Sequence, residues 1–241
     1  MYTKYNLLKR KMSHMGEEFE YIPFIYMDKE INICIPFFYE DHIQRFILTS
    51  LSFYELPKLE YFNSLVKRSF AHKYTKGGII DAGANIGNHS LFFYLISGFS
   101  RVYCFEPLDT IRKILTHNIF LNNINATIFP YLLFNKKSYF ELEKFDSHNY
   151  GATSFSEIRS RTGPYASTFL DNELLDSKIS AIKVDAEGYE IPILEGASKI
   201  LEDQHPILWV ETFDYLEYLQ TYLAKFGYKL DHNIMHDYFF V

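Results

Sequence analysis

The sequence is short of cysteine. Two in 241 residues, Cys34 and Cys104, cannot make a disulfide framework, and no Cys/His spacing fits a zinc site. Cys104 lies in "RVYCFEP", where it reads as a small core hydrophobe rather than a reactive thiol. Long apolar runs are missing too: none approaches the roughly 20 residues that a helix needs to cross a bilayer. The opening "MYTKYNLLKRKMSHMGEEF" carries basic residues but no apolar signal-peptide centre. These absences make a cytoplasmic, soluble protein the expectation. Basic charge is scarce, with 24 Lys and Arg against 30 Asp and Glu and a net charge of −6. No basic stripe is present, so no nucleic-acid partner is expected. The cluster Lys9, Arg10, Lys11 reads as a solvated chain end. Repeats and low-complexity segments are also lacking. Aromatics, in contrast, are plentiful, with 23 Phe and 20 Tyr. Ile, Asn and Lys are plentiful as well, which fits a compositional bias, and no function is taken from it.

What is present is an alternation of strand and helix patterns from residue 78 onward. "GGIIDA", "RVYCFEP", "ATIFPYLLF", "ISAIKVD" and "PILWVE" read as strands, and "KKSYFELEKF" as an added one. "NHSLFFYLIS", "DTIRKILTHNIFL" and the stretches 190–202 and 213–226 read as helices, with apolar residues spaced to form one face. Such alternation predicts an α/β, Rossmann-like fold: a mostly parallel sheet with helices on both faces. "GYKLD" and "DYFFV" are too close together for a parallel crossover and should form an antiparallel hairpin at the C-terminal sheet edge. The stretch 145–167 is polar and contains Gly and Pro, so it reads as a long loop. Residues 1–77 are expected to be an N-terminal extension, with two short strands around Asp28-Lys29-Glu30 and further helices. It would pack on a main domain at 78–241.

"IIDAGANIG", residues 79–87, carries the first chemistry. Asp81 ends a strand, and Gly83 and Gly87 lie in the turn to the next helix. Ligands of open parallel sheets bind at such strand ends, and glycine lets a ligand approach the backbone. The dinucleotide fingerprint needs a close G-x-G pair, yet Ala84, Asn85 and Ile86 separate these two glycines. A strand-end acid repels phosphate and accepts a cation. S-adenosylmethionine, cationic and without phosphate, therefore fits; the plain alternative is a tight turn. Glu106, at the end of the second strand, stands where an acid holds ribose hydroxyls.

"IKVDAEGYE", residues 182–190, crowds Asp185, Glu187 and Glu190 at the next strand end. Helix-terminus complementarity alone needs fewer acids. A hydroxyl attacks a methyl carbon only as its proton is removed, and a carboxylate can take that proton. Asp185 is the first candidate for the base or for orienting the acceptor, and Glu187 the second. No further ligand set accompanies these acids, so no metal is expected. His89 reads as a packing or capping residue, and His148 and Asn149 as lesser candidates for touching the acceptor.

Taken in order, "DAGANIGNHSLFF", "VYCFEP", "HNIFLNN", "IKVDAEGYEIPILEGASKIL" and "PILWVE" resemble the FkbM-type methyltransferases, over roughly residues 50–240. "FYE" at 53–55 is similar too. The resemblance implies the class I methyltransferase fold with seven strands, and S-adenosyl-L-methionine as cofactor. It implies O-methylation of a hydroxyl, commonly on a sugar or secondary metabolite. Asp81, Gly83, Ala84, Asn85, Gly87 and Asn88 would carry over as cofactor and turn contacts, and Glu106 with Pro107 as the ribose corner. Tyr54 and Glu55 would help close the site, and Asp185 and Glu187 fall on the acidic motif. The expected partner is a hydroxyl-bearing acceptor, a sugar of a cell-surface glycan or its precursor. Alternatives are a lipid or secondary-metabolite acceptor, or a binding module without chemistry. A nicotinamide dehydrogenase is disfavoured by the missing G-x-G.

Overall fold

The computed structural model of the protein describes residues 1–14, 16–69, 77–146 and 148–241. Residues 70–76, part of the expected extension, lie outside the described residues. The chain begins with α1 (Tyr2–Leu8), β1 (Arg10–His14), β2 (Glu17–Tyr26), β3 (Lys29–Ile33), α2 (His42–Ser50) and α3 (Leu56–Ser69). Next come β4 (Gly78–Ala82), α4 (Asn88–Phe92), β5 (Val102–Phe105), α5 (Asp109–Leu121) and β6 (Ala126–Phe129). They are followed by β7 (Leu132–Leu133), β8 (Tyr139–Lys144), β9 (Ser154–Ile158), β10 (Tyr165–Thr168) and α6 (Leu170–Leu174). The last part is β11 (Ile179–Val184), α7 (Glu190–Glu195), α8 (Ser198–Gln204), β12 (Ile207–Glu211), α9 (Leu216–Ala224), β13 (Leu230–Ile234) and β14 (Asp237–Phe240).

The main sheet has seven strands in the order β13-β14-β12-β11-β4-β5-β6. Neighbours from β12 to β6 are parallel, while β14 is antiparallel to both β12 and β13. This is the mostly parallel sheet with an antiparallel C-terminal hairpin that the sequence predicts. Strand order reverses at β4 and β11, which opens a crevice at their carboxyl ends. Side chains alternate between the faces. Ile79, Ala181, Trp209 and Phe239 enter one apolar cluster, with Phe62 of α3, Leu91 of α4 and Leu115 of α5. Ile80, Ile182, Leu208 and Phe240 enter the other, with Leu170, Leu194, Leu201 and Leu219 of the later helices.

The extension shares the first of these clusters through Ile22, Ile31, Ile33 and Phe53. Asn118 of α5, fully buried, fastens it to the glycine turn. Its side-chain amide donates to the Ile86 carbonyl at 2.7 Å, and its carbonyl accepts the Cys34 N–H at 2.6 Å. Buried amides are costly without such partners, so Asn118 links three segments far apart in sequence.

Several local expectations need correction. The stretch 145–167 is not a loop. It contains a 3-10 turn at Tyr150–Ala152 and most of two strands, β9 and β10. These join β7 and β8 in a second, four-stranded sheet of order β7-β10-β8-β9. Most of β9 is only partly buried, with Phe155 its one buried residue, so the segment lacks the apolar content that marks a strand. "ATIFPYLLF" splits at Pro130 into β6 and β7, which belong to different sheets. The helix expected at 190–202 breaks at Gly196, where an added Cβ would meet the Phe134 carbonyl at 2.3 Å. Asp171 restarts the helix by accepting the Lys199 and Ile200 N–H groups at 2.9 and 3.0 Å. The β2–β3 turn is Met27-Asp28, both at positive φ, one residue earlier than expected, as two-residue hairpin turns favour. Lys9 and Arg10 are not simply solvated: they pair with Glu20 and Glu30, each at 2.9 Å.

Candidate active site

Four neighbouring parallel strands bring an acid to their carboxyl ends: Asp81 on β4, Glu106 just after β5, Asp185 just after β11 and Glu211 closing β12. Three of them, Glu106, Asp185 and Glu211, line a cavity of ≈ 430 Å³, a size that suits a nucleoside-sized ligand. Its walls mix polar residues with apolar ones, Ile86, Leu108, Leu132, Leu133 and Phe155 among them, and Tyr54, Glu55 and the 149–153 segment also border it.

The glycine turn forms one wall. Gly83, Asn85 and Gly87 all have positive φ. The Asn85 N–H donates to Glu106 at 3.0 Å, and the Leu108 N–H donates to its other carboxylate oxygen at 2.8 Å. Burial pushes the Glu106 carboxyl up to about 7, against these two bonds, which favour the anion. Asn88 spends its side chain on Tyr54, accepting its N–H and donating to its carbonyl, both at 3.0 Å.

Asp81 is placed differently from the direct contact expected of it. It is fully buried and does not line the cavity. One oxygen accepts the Ser90 hydroxyl at 2.5 Å, and the other lies 3.5 Å from the Lys183 ammonium. Lys183 is 2% exposed, donates to the Gly83 carbonyl at 3.2 Å and lies 3.1 Å from Asp185. Burial opposes its charge, but Asp185 and Asp81 outweigh that and raise its pKa. Gly87 also stays off the cavity surface, whereas Gly83, Ala84, Asn85, Asn88, Glu106, Pro107, Tyr54, Glu55, Asp185 and Glu187 all border it.

Val184 pairs with Val210 in adjacent parallel strands, which brings Asp185 and Glu211 to neighbouring strand ends. Burial works against ionisation of Asp185, but the Lys183 ammonium, with the neighbouring Glu211 carboxyl, outweighs it and holds the carboxyl below its ordinary value. Burial and the Asp185 charge push Glu211 up to about 9. Burial, with Asp185 and Glu190 nearby, pushes Glu187 up to about 7. On the far side, Lys58 contacts Glu55, lies 2.5 Å from Asp237 and 4.0 Å from Glu211. The Glu55, Glu211 and Asp237 carboxylates could together ligate a metal, but the Lys58 ammonium already stands among them. His89 lies 3.3 Å from Glu55 and packs on Trp209. Burial opposes ionisation of Glu55, yet His89 and Lys58 bring it down to about 2.

These shifts set a pH dependence. Glu106, Glu187 and Glu211 bind a proton more tightly in the folded chain than in the unfolded one. The folded state therefore carries the extra protons from about pH 5 to pH 9, and stability falls as pH rises through that window. His117, lowered by burial, acts in the opposite sense only below its ordinary value of 6.5. The thermal midpoint of the ligand-free protein should fall by several degrees between neutral pH and the Glu211 value of about 9, and Glu211→Gln should flatten that fall. A midpoint that rises over the range would contradict it.

Sequence reasoning missed Lys183 and Glu211 and gave His89 only a packing role. Lys183 is the one cation in the apolar strand "ISAIKV", an oddity that invites a buried partner. Glu211 follows the same strand-end rule as Glu106 and Asp185. Asn149 borders the cavity, whereas the His148 side chain is 85% exposed and does not.

The Methyltransferase FkbM domain family matches residues 81–230, more than half of the chain. With its strand order and its strand-end cavity, the molecule has the class I methyltransferase fold. The chain belongs to the FkbM family of S-adenosylmethionine-dependent methyltransferases. The FkbM methyltransferase of Methylobacillus flagellatus KT is similar in fold, with 19% identity, a TM-score of 0.50, and coverage of 83% of this chain and 52% of that one. The chain thus spans about half the length of that relative. A ribosomal protein L11 methylase of Lactobacillus delbrueckii subsp. bulgaricus has 13% identity and a TM-score of 0.45, with 76% of each chain covered. TrmK of M. capricolum, in complex with S-adenosyl-homocysteine, has 12% identity and a TM-score of 0.40, with 73% of this chain and 65% of that one covered. No curated protein matches the chain significantly.

Proposed function

We propose that the protein transfers a methyl group from S-adenosylmethionine to a hydroxyl, on a sugar of a cell-surface glycan or its precursor. The carrying observation is the placing of Asp185 and Glu211 at adjacent strand ends in the same cavity as Glu106 and the glycine turn. The residues present suit the cofactor. Glu106 keeps lone pairs for two vicinal hydroxyls beyond its two backbone partners. Leu108, Leu132 and Leu133 offer apolar contact to a base, and Tyr54 and Glu55 border the site. Among the described lining residues the one ammonium or guanidinium is Lys183, already paired with Asp185 and Asp81, so nothing there invites a phosphate. What the cofactor supplies when bound is a methyl carbon on a sulfonium, with a neutral thioether as leaving group. Asp185, held ionised, orients the acceptor hydroxyl, with Glu187 beside it. Asp81 acts from below, by fixing Lys183.

An adjoining hollow supports the acceptor class. It is lined by Glu187, Glu190, Glu211, Asp214, Phe213 and Tyr215, and shares Glu187, Glu211 and Phe213 with the cavity. Phe213 and Tyr215 are 65% and 52% exposed. Aromatic faces with carboxylates suit a hydroxylated ring and repel a polyanion. No helix among the described residues is long and apolar enough to cross a membrane.

Calorimetry with S-adenosylmethionine should show binding that Glu106→Ala weakens about 100-fold, the loss of two charge-assisted hydrogen bonds. Glycans from cells with and without the protein should differ by one methylene per modified residue in mass spectrometry. A lipid or small metabolite gaining the methyl instead would move the acceptor, and absence of cofactor binding would overturn the reading.

A further inference from the structure

One part of the cavity wall does not come from the strand ends of the main sheet. Residues 149–153 border the cavity and lie between β8 and β9, and what holds them there comes from the N-terminal extension. Asp41, 2% exposed, precedes α2 as its N-cap. One of its carboxylate oxygens accepts the Gln44 N–H of α2 at 2.9 Å, and the other accepts the Tyr150 N–H at 2.9 Å. Capping the helix needs only the first of these bonds. Beside them the His42 N–H donates to the His148 carbonyl at 2.8 Å. The Tyr150 ring packs edge-to-face on Phe37, with centroids 5.2 Å apart. Asn149 stiffens the turn from within, its side chain accepting the Gly151 N–H at 3.1 Å. The turn so held backs onto the glycine turn. A Cβ built on Gly151 would stand 3.1 Å from the Asn85 side-chain nitrogen and 3.4 Å from Ile43 of α2. Asn85 is also the residue whose N–H donates to Glu106.

We propose that Asp41 is a positioning residue for the ribose of the cofactor: through the Tyr150 N–H it holds the 149–152 turn against the corner formed by Asn85 and Glu106, and so keeps water from the bonds between Glu106 and the ribose hydroxyls. This rests on the S-adenosylmethionine reading above. Asp41 itself does not line the cavity; it acts through the main chain of the turn. The logic is dielectric. A hydrogen bond to a carboxylate is stronger where water is excluded, and a missing partner there costs more. With the turn in place, Glu106 selects strongly for a ligand that carries both vicinal hydroxyls. With the turn loose, water stands in for a missing hydroxyl and the selection shrinks. The extension is thereby a part of the cofactor site as well as a layer packed on the sheet.

The test needs no acceptor. Calorimetry compares S-adenosylhomocysteine with its 2′-deoxyribose analogue. The wild type should bind the first about 10–100-fold more tightly, as a hydrogen bond to a charged group requires. Asp41→Ser keeps a residue that caps helices well but is too short to hold both N–H groups. It should weaken S-adenosylhomocysteine about 10-fold and the analogue about 2-fold, so that the preference falls about 5-fold. A residue that served stability alone would weaken both ligands by one factor and leave the preference unchanged. Hydrogen exchange of the wild type gives a measurement free of any variant. Coupling between two sites is reciprocal, so at saturation S-adenosylhomocysteine should protect the 148–153 segment more than the analogue does. An unchanged preference in Asp41→Ser, or equal protection by the two ligands, overturns the role of Asp41 and leaves the methyltransferase reading intact. Equal affinity of the wild type for the two ligands overturns the ribose contact of Glu106 and the role of Asp41 with it. Binding of neither ligand overturns the cofactor reading as well.

Discussion

Lys183→Met should lower stability by about 3–5 kcal/mol, the cost of removing one partner from a buried ion pair. For a chain of this size that is on the order of 10 °C in thermal midpoint. The magnitude follows from what is left behind. Asp81 is fully buried, and without Lys183 one of its oxygens faces no donor, while the other keeps only the Ser90 hydroxyl. A buried carboxylate in that state either stays charged at high cost or takes up a proton. Asp185 loses its strongest reason to stay ionised as well, since the Lys183 ammonium is the main influence that outweighs its burial. One substitution therefore reaches both the foundation of the glycine turn and the candidate base. The double variant Lys183→Met with Asp81→Asn should regain part of the loss, because removing both partners strands less charge than removing one. Denaturant titration separates the cases, and a single-variant loss below about 1 kcal/mol would show the pair to be worth no more than a surface bridge.

How much of this was legible beforehand depends on the range of the interaction. The parallel sheet could be read because each of its strands carries a local apolar signature, and the hairpin because only a few residues separate "GYKLD" from "DYFFV", although its first strand, Leu230–Ile234, lies further along the chain than that reading placed it. The strand-end acids could be read because an acid closing an apolar run is a local anomaly; Glu106 and Asp185 stood out that way. Lys183 was passed over because its meaning is not local: its partner Asp81 is supplied by a different strand, through the β11–β4 pairing. The segment 145–167 was misjudged for the same reason. β9 finds its hydrogen bonds on β8 and its packing through Phe155, so composition gave no warning. Asp81 shows the limit from another side. Its type and spacing were informative, but one residue of depth separates a side chain that lines a cavity from one that supports it, and only the fold resolves that.

Gly83→Ala should be more damaging than its single methyl group suggests. Gly83 has φ +77, and a Cβ built there would lie 1.9 Å from the backbone oxygen of Asp185. No rotamer relieves a contact with a main-chain atom. Either the turn must open, which breaks the Gly83 and Ala84 N–H bonds to Phe105 at 3.2 and 3.0 Å, or the end of β11 must retreat, which carries Asp185 away from its place. A left-handed conformation costs an L-residue about 1–2 kcal/mol on its own, and the steric term comes on top, so a loss above about 3 kcal/mol is expected. Gly188→Ala provides the control. Gly188 has φ +99 with nothing within 4 Å of the added Cβ, so it should lose only the conformational part, about 1–2 kcal/mol. The two variants share a residue change and a positive φ and differ in the Asp185 carbonyl. Unfolding midpoints and calorimetry with S-adenosylmethionine on both should show Gly83→Ala the less stable and unable to bind at concentrations that saturate the wild type, with Gly188→Ala still binding. Equal losses at the two positions would mean that the turn can yield without disturbing β11, and the close approach of the glycine turn to the candidate base would then have no role in shaping the site.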